Sequence, residues 1–500
     1  MGHMIPMLNL ADAVAARGHI CKVYTASYAE AKIRPKVEKI SAIFAGVETG
    51  FAEDEIERML HAPDMSEVPH LRIYAAWQDS LDSLLAVDRP DVIVADITTC
   101  AGMFAAQKLG VPLVVNDPGS LEFWRCWLGL PDVSRTWQFG GITVGWAGPK
   151  ALSILRFVEF FNIMKVKTWM KMTREFCDEA TILVNSFFPL DPPQMLPPNI
   201  RLTGPICPPA GKLLTRLHNE HGELYRWMQK SDKPLIVIST GSLVALHDWQ
   251  VSIFYAAVTK AGVRAVWSLK EAQQAYLPSD WQHNIDFWIS SWVPQVEILQ
   301  HEATKLVVTH CGWGGTLETL GAGLPMLCMP FFGDQPTNAK LLVDAGCGEM
   351  LGKYPKGELT ITNAWKEGAY TADSLAVLIR QVIEDPRYRA AALAMQKAAL
   401  ATPGAAGAAL EIERVGFYGN SHQFSSDVSR ITAGGNPFYT LLGVISAVLL
   451  AFGGSLATSV PWRGLLGGCG LGCCLHGFGT WISGEKKGDA IKMWDKRRRK

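Results

Sequence analysis

Short unbroken apolar runs alternate along the chain with stretches in which apolar residues return every three or four positions. The runs are 19–26 (HICKVYTA), 39–47, 91–96 (DVIVAD), 112–117 (PLVVND), 180–186 (ATILVNS) and 200–204 in the first half. In the second they are 235–240 (LIVIST), 264–269, 285–292, 305–311 (KLVVTHC) and 325–331. Runs of this length and apolarity predict strands of a parallel sheet that is buried on both faces. The periodic stretches predict helices over 7–17, 71–87, 100–109, 248–261, 336–345, 372–383, 387–401 and 405–417. Strand–helix alternation repeated this often predicts an α/β architecture of doubly wound parallel sheets. Five hundred residues are enough for two such domains. Residues 1–208 are expected to form the first and 234–402 the second. A Pro-rich, then polar, linker with a helix is expected over 209–233, and a closing helix over 403–430.

Two ends depart from this pattern. The first periodic stretch follows Met1-Gly2-His3-Met4-Ile5-Pro6 directly, where a parallel α/β unit would open on a strand. The expectation is a sheet short of about one strand at its front. At the other end, residues 431–462 carry no charge, and about 20 apolar residues suffice to cross a bilayer. Residues 464–484 form a second uncharged run with eight glycines, a weaker span or a hairpin partner. The tail 485–500 has eight Lys/Arg against three acids, which places it in the cytosol by the positive-inside rule. Two spans put the preceding domains in the cytosol as well, so the expected localisation is a C-terminally anchored membrane protein.

Composition adds a few limits. Formal net charge is zero and the pI is about 7.2, so there is no overall nucleic-acid footprint. Eleven cysteines at irregular spacing show no metal-binding pattern and read as reduced thiols. Large aromatics crowd residues 119–176, which suits core packing, a surface that touches the membrane, or the pocket of a lipophilic ligand.

The candidate chemistry concentrates in Trp292–Gln335. The strand 305–311 ends in His310 and Cys311, then Gly312, Gly314 and Gly315, with a helix expected from Thr316. A glycine-rich strand-to-helix turn aims backbone N–H groups and a helix N-terminus at one point, and a phosphate fits there. The next strand closes on Gly333-Asp334-Gln335. Read alone, the glycines are equally a tight βα connection. The whole stretch resembles the nucleotide-sugar-binding box of family 1 glycosyltransferases, the UDP-glycosyltransferases of GT-B fold. It has that box's 44-residue length, with Trp292, Gln295, His310, Gly312, Trp313, Glu318, Pro325, Pro330, Asp334 and Gln335 at its positions.

The resemblance implies two Rossmann-like domains facing a cleft, with the last helix crossing back onto the first domain. It implies that Trp292 stacks on uracil, Gln295 reads its edge and Glu318 accepts the ribose hydroxyls. His310, Ser242 and the N–H groups of Gly312, Trp313, Gly314 and Gly315 would hold the diphosphate. Asp334 and Gln335 would bind the sugar. Near the front, GHxxP would make His3 the general base, and Asp96, at the end of 91–96, would orient it. Without the resemblance His3 reads as a disordered N-terminal histidine or a helix cap, and Asp96 as the N-cap of the next helix. Asp117, another strand-end carboxylate, keeps that plain reading. The expected reaction is inverting, metal-independent transfer of a hexose, glucose by the Gln335 rule, from a UDP-sugar to a hydroxylated lipophile such as a terpenoid, sterol or polyketide. No cofactor besides that co-substrate is implied. Gly314-Gly315 replace the Asn-Ser of plant-type boxes, which leaves donor identity open. The competing expectation is an inactive nucleotide-sugar-binding relic or recruiting subunit. A sugar-nucleotide epimerase is a third, with no support from the membrane run.

Overall fold

The computed structural model describes residues 2–52, 55, 69–124, 136–139, 142–145, 176–177, 179–207, 210–241, 244–331, 334–351 and 367–420. Ser242, the uncharged runs, the basic tail and most of the aromatic-rich 119–176 lie outside them. The strands are β1 (Lys22–Ala26), β2 (Ile43–Val47), β3 (Ile93–Asp96), β4 (Leu113–Asp117), β5 (Thr136–Phe139), β6 (Ile142–Gly145) and β7 (Thr181–Val184). They continue as β8 (Ile200–Leu202), β9 (Leu235–Ser239), β10 (Arg264–Ser268), β11 (Phe287–Ser290), β12 (Thr304–Thr309), β13 (Met326–Cys328) and β14 (Gly348–Met350).

The C-terminal unit is a six-stranded parallel sheet in the order β11-β10-β9-β12-β13-β14. Its central strand β9 reads LIVIS and is buried throughout. Ile236 and Ile238 pack with Phe254, Val258 and Ile379 on one face, while Leu235 and Val237 pack with Leu317, Leu320 and Leu342 on the other. Burial on both faces is why the strand reads as a continuous apolar run rather than an alternating one. Sequence order reverses between β9 and β12, and ligands of open α/β sheets bind beyond the carboxyl ends of the strands at such a reversal. Residues 210–228, expected to be linker and one helix, form two helices, Ala210–Glu220 and Gly222–Met228. Their Leu217, Leu224 and Met228 join the core of this unit.

The N-terminal unit is in pieces. β3-β4-β7-β8 form one parallel sheet, β1-β2 a separate parallel pair and β5-β6 an antiparallel hairpin. No ladder joins β1 to β3. Helices bridge them instead. On one face the opening helix Met4–Ala15 packs Leu8 with Val37 and Phe44, and Leu10 with Val114 and Leu183. On the other, Trp77, Leu81 and Leu85 join Ala26, Val47 and Ala101. The strand expected over 39–47 starts only at Ile43, because Glu30–Lys39 is a helix. Ile33 and Val37 stand four apart on one face of it and are buried against the Leu8 cluster, a spacing that decides for helix. The last described helix, Gly404–Tyr418, packs Ala408, Ile412 and Val415 on Leu10 and Val114 of the N-terminal unit. Among the described residues no helix is long and apolar enough to cross a membrane.

Candidate active site

The site is built first at the β9/β12 reversal. After β12 the chain turns through Cys311 at φ +64° and enters the helix Trp313–Gly321, with Gly312 as its N-cap. The helix therefore begins three residues before the expected Thr316. The His310 ring fills the space between two glycines. A Cβ on Gly241 would come 2.6 Å from His310 Nε2, and one on Gly312 would come 2.5 Å from it. Gly241 also has φ +72°, which favours glycine in its own right. Burial lowers the His310 pKa to about 4, opposed by the Ser239 backbone, and its Nδ1 has no hydrogen-bond partner among the described residues. His310 is thus neutral near pH 7, and it can polarise or orient a diphosphate oxygen rather than neutralise it.

The first bond inside the new helix runs from Thr316 N–H to the Gly312 carbonyl, at 3.0 Å. The N–H groups of Gly314 and Gly315 have no acceptor within the helix, as the first turn of any helix dictates. Space over both is open. A Cβ on Gly314 would meet only the Gly2 carbonyl, at 4.0 Å, and one on Gly315 only Gln295 Nε2, at 3.6 Å. Two bare, upward-facing amides at a helix N-terminus are a seat for an anion. Trp313 adds a side-chain contact that the expected backbone role does not involve. Its indole is buried, and Nε1 donates to the Asn185 carbonyl across the two units at 2.8 Å.

On the same side Gln295 Nε2 donates to Glu318 Oε2 at 2.9 Å. Burial, helped by nearby Glu297 and opposed by that hydrogen bond, pushes the Glu318 carboxyl up to about 7. The two groups expected to read base and ribose are thus hydrogen-bonded to each other. Trp292 is 65% exposed, with the His221 ring 5.7 Å away, so its face is available for stacking. Gln335 is buried, and its Oε1 accepts from Phe331 N–H at 2.8 Å.

The opposite wall comes from the N-terminal unit. His3 Nδ1 lies 2.9 Å from Asp96 Oδ2 and 3.1 Å from Oδ1, across 93 residues of sequence. Thr98 N–H donates to Asp96 Oδ1 at 2.9 Å and fixes the carboxylate at the end of β3. Burial alone would lower the His3 pKa, but the charge and hydrogen bond of Asp96, then the charge of Asp334, outweigh it and raise the pKa. The ring keeps 51% of its surface accessible, so its desolvation is incomplete and the outcome follows the carboxylates. His3 makes no side-chain cap to its helix. It faces the C-terminal unit, within electrostatic reach of Asp334.

Residues 161–398 match the family model described as UDP-glucoronosyl and UDP-glucosyl transferase. This stretch belongs to the UDP-glycosyltransferase family. An anthocyanidin 3-O-glucosyltransferase of Manihot esculenta is 35% identical over 175 residues, which cover 33% of this chain and 59% of that protein. A UDP-glucose flavonoid 3-O-glucosyltransferase of Fragaria ananassa is 25% identical over 386 residues, covering 69% and 77%. The chain spans about a quarter to three fifths of the first curated relatives it matches. Among solved structures, Os79 of O. sativa, in complex with U2F and trichothecene, superposes with a TM-score of 0.64 at 19% identity. That match covers 83% of this chain and 97% of the other. Medicago truncatula UGT71G1, complexed with UDP-glucose, gives 0.62 at 19%, covering 83% and 96%. The fold is the α/β GT-B fold of these glycosyltransferases.

Within this glycosyltransferase framework the structure adds residues that spacing did not single out. Asn338 donates to the Cys311 carbonyl at 3.0 Å and to Asp334 Oδ2 at 2.6 Å. Its Oδ1 accepts from Ser120 of the N-terminal unit at 3.2 Å. The chain Ser120–Asn338–Asp334 ties one wall of the cleft to the other at the expected sugar end. Asp334 and Asn338 are four apart at a helix start, a pairing legible in DQPTN. Ser120 has no such local signal. Asp117 is not the plain cap expected. Asp191 takes that task, accepting from Leu121 N–H at 2.9 Å and Glu122 N–H at 3.1 Å. Asp117 is fully buried, and among the described residues neither of its oxygens has a partner in hydrogen-bond geometry. Burial, then the charges of Asp96, Asp191 and Asp334, raise its pKa well above the usual carboxyl range, opposed by the Gly119 backbone.

Proposed function

We propose that the protein is an inverting UDP-glycosyltransferase that moves a hexose, glucose in the first instance, onto a hydroxyl of a lipophilic small molecule. One observation carries this reading. The His3–Asp96 pair stands opposite the Gly312–Gly315 helix start, and Asp334 lies within electrostatic reach of the base. With Nδ1–H given to Asp96, Nε2 is the nitrogen left to take a proton. It would deprotonate the acceptor hydroxyl while Asp96 stabilises the imidazolium, the division of labour of a hydrolase triad. The acceptor oxygen would attack the anomeric carbon opposite the diphosphate, and the bond to the phosphate oxygen would break. Charge developing on UDP would be met by the N–H groups of Gly314 and Gly315 and by the helix dipole. Trp292, Gln295 and Glu318 would hold the nucleoside, Ser242 would join the phosphate seat, and Asp334 and Gln335 would take the sugar. An α-linked donor gives a β-glycoside. The activities for which the relatives are named, glucosyl transfer to anthocyanidins and flavonoids, support glucose as donor and an aromatic hydroxylated acceptor.

The uncharged run 431–462 and the basic tail support a C-terminal membrane anchor with the catalytic units in the cytosol. The test is a panel of UDP-sugars offered with the full chain in microsomes to a pool of hydroxylated lipophiles, read by mass shift. A gain of one hexose is expected with UDP-glucose. UDP binding without any shift across the panel would instead support a nucleotide-sugar-binding relic.

A further inference from the structure

The surface at the start of the N-terminal strands, opposite the cleft, carries four exposed apolar side chains. Ile20 is 85% exposed, Val87 90%, Phe417 74% and Tyr418 73%. The contacts gather them at one end of the unit. Ile20 immediately precedes β1, and Val87 ends the helix that leads to β3. Lys22 at the start of β1 pairs with Asp88, next to Val87. Arg17 and His19 bind Glu413, at 3.1 and 2.9 Å, and Phe417 stands one helical turn beyond Glu413 on the same side. Gly416 packs on Val92, just before β3, its Cα bearing a would-be Cβ 3.8 Å from that side chain. Asn420 is fastened at the same end, donating to the Leu113 carbonyl at the start of β4 and accepting from Thr181 at the start of β7, both at 2.9 Å.

Asn420 therefore leaves the fold beside this patch, and the uncharged run begins at Ile431. The ten intervening residues reach at most roughly 35 Å when fully extended, so whatever 431–462 enters is held close to these side chains. Aliphatic and aromatic groups ringed by charges already paired with one another match the interfacial zone of a bilayer, where Tyr and Phe insert and basic groups stay at the headgroups. We infer that Ile20, Val87, Phe417 and Tyr418 form a membrane-docking face that seats the N-terminal unit on the bilayer, with the strand ends bearing Asp96 turned toward water. This rests on the reading of 431–462 as a membrane run.

Full-length protein in phosphatidylcholine vesicles doped with an acyl-chain diazirine lipid provides the test, with photolabelled residues mapped by mass spectrometry. Labelling is expected in 431–462 and in peptides bearing residues 20, 87 and 417–418, and not in those bearing Tyr276 or Val377, exposed apolar residues of the C-terminal unit. Ile20→Ser, Val87→Ser, Phe417→Ser and Tyr418→Ser combined should cut the labelling of neighbouring patch residues at least fivefold while 431–462 stays labelled. Labelling of 431–462 without the patch overturns the docking face and leaves the anchor standing. No labelling in either removes the anchor and the face together. Patch residues shielded only in a dimer, seen by sedimentation in detergent with no lipid adducts, would assign the face to a second copy and overturn the inference.

Discussion

The two walls of the cleft are made in different ways. The donor wall lies within Trp292–Gln335, and neighbours along the chain build it: a buried strand, a glycine turn, a helix start and a second strand. The acceptor wall is assembled from His3, Asp96, Ser120 and Asn185, which sit on separate elements of a unit whose strands form two parallel pieces with no ladder between them. Helix packing by Leu8, Leu10, Trp77 and Ala101 replaces hydrogen bonding there. A wall set by local spacing tolerates changes elsewhere. A wall set by long-range packing positions its base only as well as that packing holds. The difference predicts that changes in the donor wall act on donor binding and local stability, and changes in the acceptor wall on turnover.

Apart from the loss of His3 itself, the largest effect should come from Asp96→Asn. It keeps the shape but loses the charge that orients His3 and supports its protonated form, and turnover should fall about 10³-fold. Because Asp96 raises the His3 pKa, and the base must be neutral to act, the acid limb of the pH–rate profile should also move to lower pH in the variant. A limb that stays in place would detach Asp96 from His3. Next, Gly312→Ala drives a methyl into the His310 ring, which Gly241 already confines from the other side. Unfolding free energy should drop by about 1–3 kcal/mol, with UDP affinity falling in parallel. Denaturant midpoints equal to wild type would show that the ring has room the structure does not give it.

Glu318→Gln separates stability from binding. Folding raises the carboxyl from 4.5 to about 7, so the protonated carboxyl stabilises the fold and its ionisation opposes it. That stability is complete below pH 4.5 and is lost as pH rises through about 7. The variant, which does not titrate, should gain over wild type across that window and lead by about 1–3 kcal/mol above it. Its UDP-sugar affinity should nonetheless weaken by roughly tenfold, as expected for losing a hydrogen bond to a charged group. Melting curves from pH 4 to 8 alongside calorimetric binding read both signs. The smallest effect is Ser120→Ala. Cutting the bond to Asn338 should cost about 0.5–1.5 kcal/mol, seen as a two- to tenfold rise in donor KM with a smaller change in kcat. An unchanged KM would mean Asn338 positions Asp334 without help from the other wall.

These contrasts also explain what the sequence made legible. The central strand LIVIS, the helix 248–261 and the glycine turn were readable because burial on two faces and helical spacing both leave local marks. The helix Glu30–Lys39 is not legible in the sequence, since a stretch with six Lys/Arg/Glu around Ile33 and Val37 shows its apolar face only once Leu8 and Phe44 lie against it. The start of the helix at Trp313 escaped because three residues of its first turn, Trp-Gly-Gly, carry little helical propensity and are held by tertiary contact, the indole to Asn185 among them. Ser120 and the orphaned carboxyl of Asp117 escaped for the same reason. Their partners, or the lack of any, are decided by chain segments about 70 to 220 residues away.

The central claim is that His3, set by packing, is the base facing a donor site set by spacing. The direct measurement is single-turnover hexose transfer by His3→Ala at saturating UDP-sugar, with UDP affinity measured on the same preparation. A fall of about 10²–10⁴ in rate with UDP affinity within twofold of wild type is the predicted result. Transfer at the wild-type rate would contradict it and remove His3 from the mechanism.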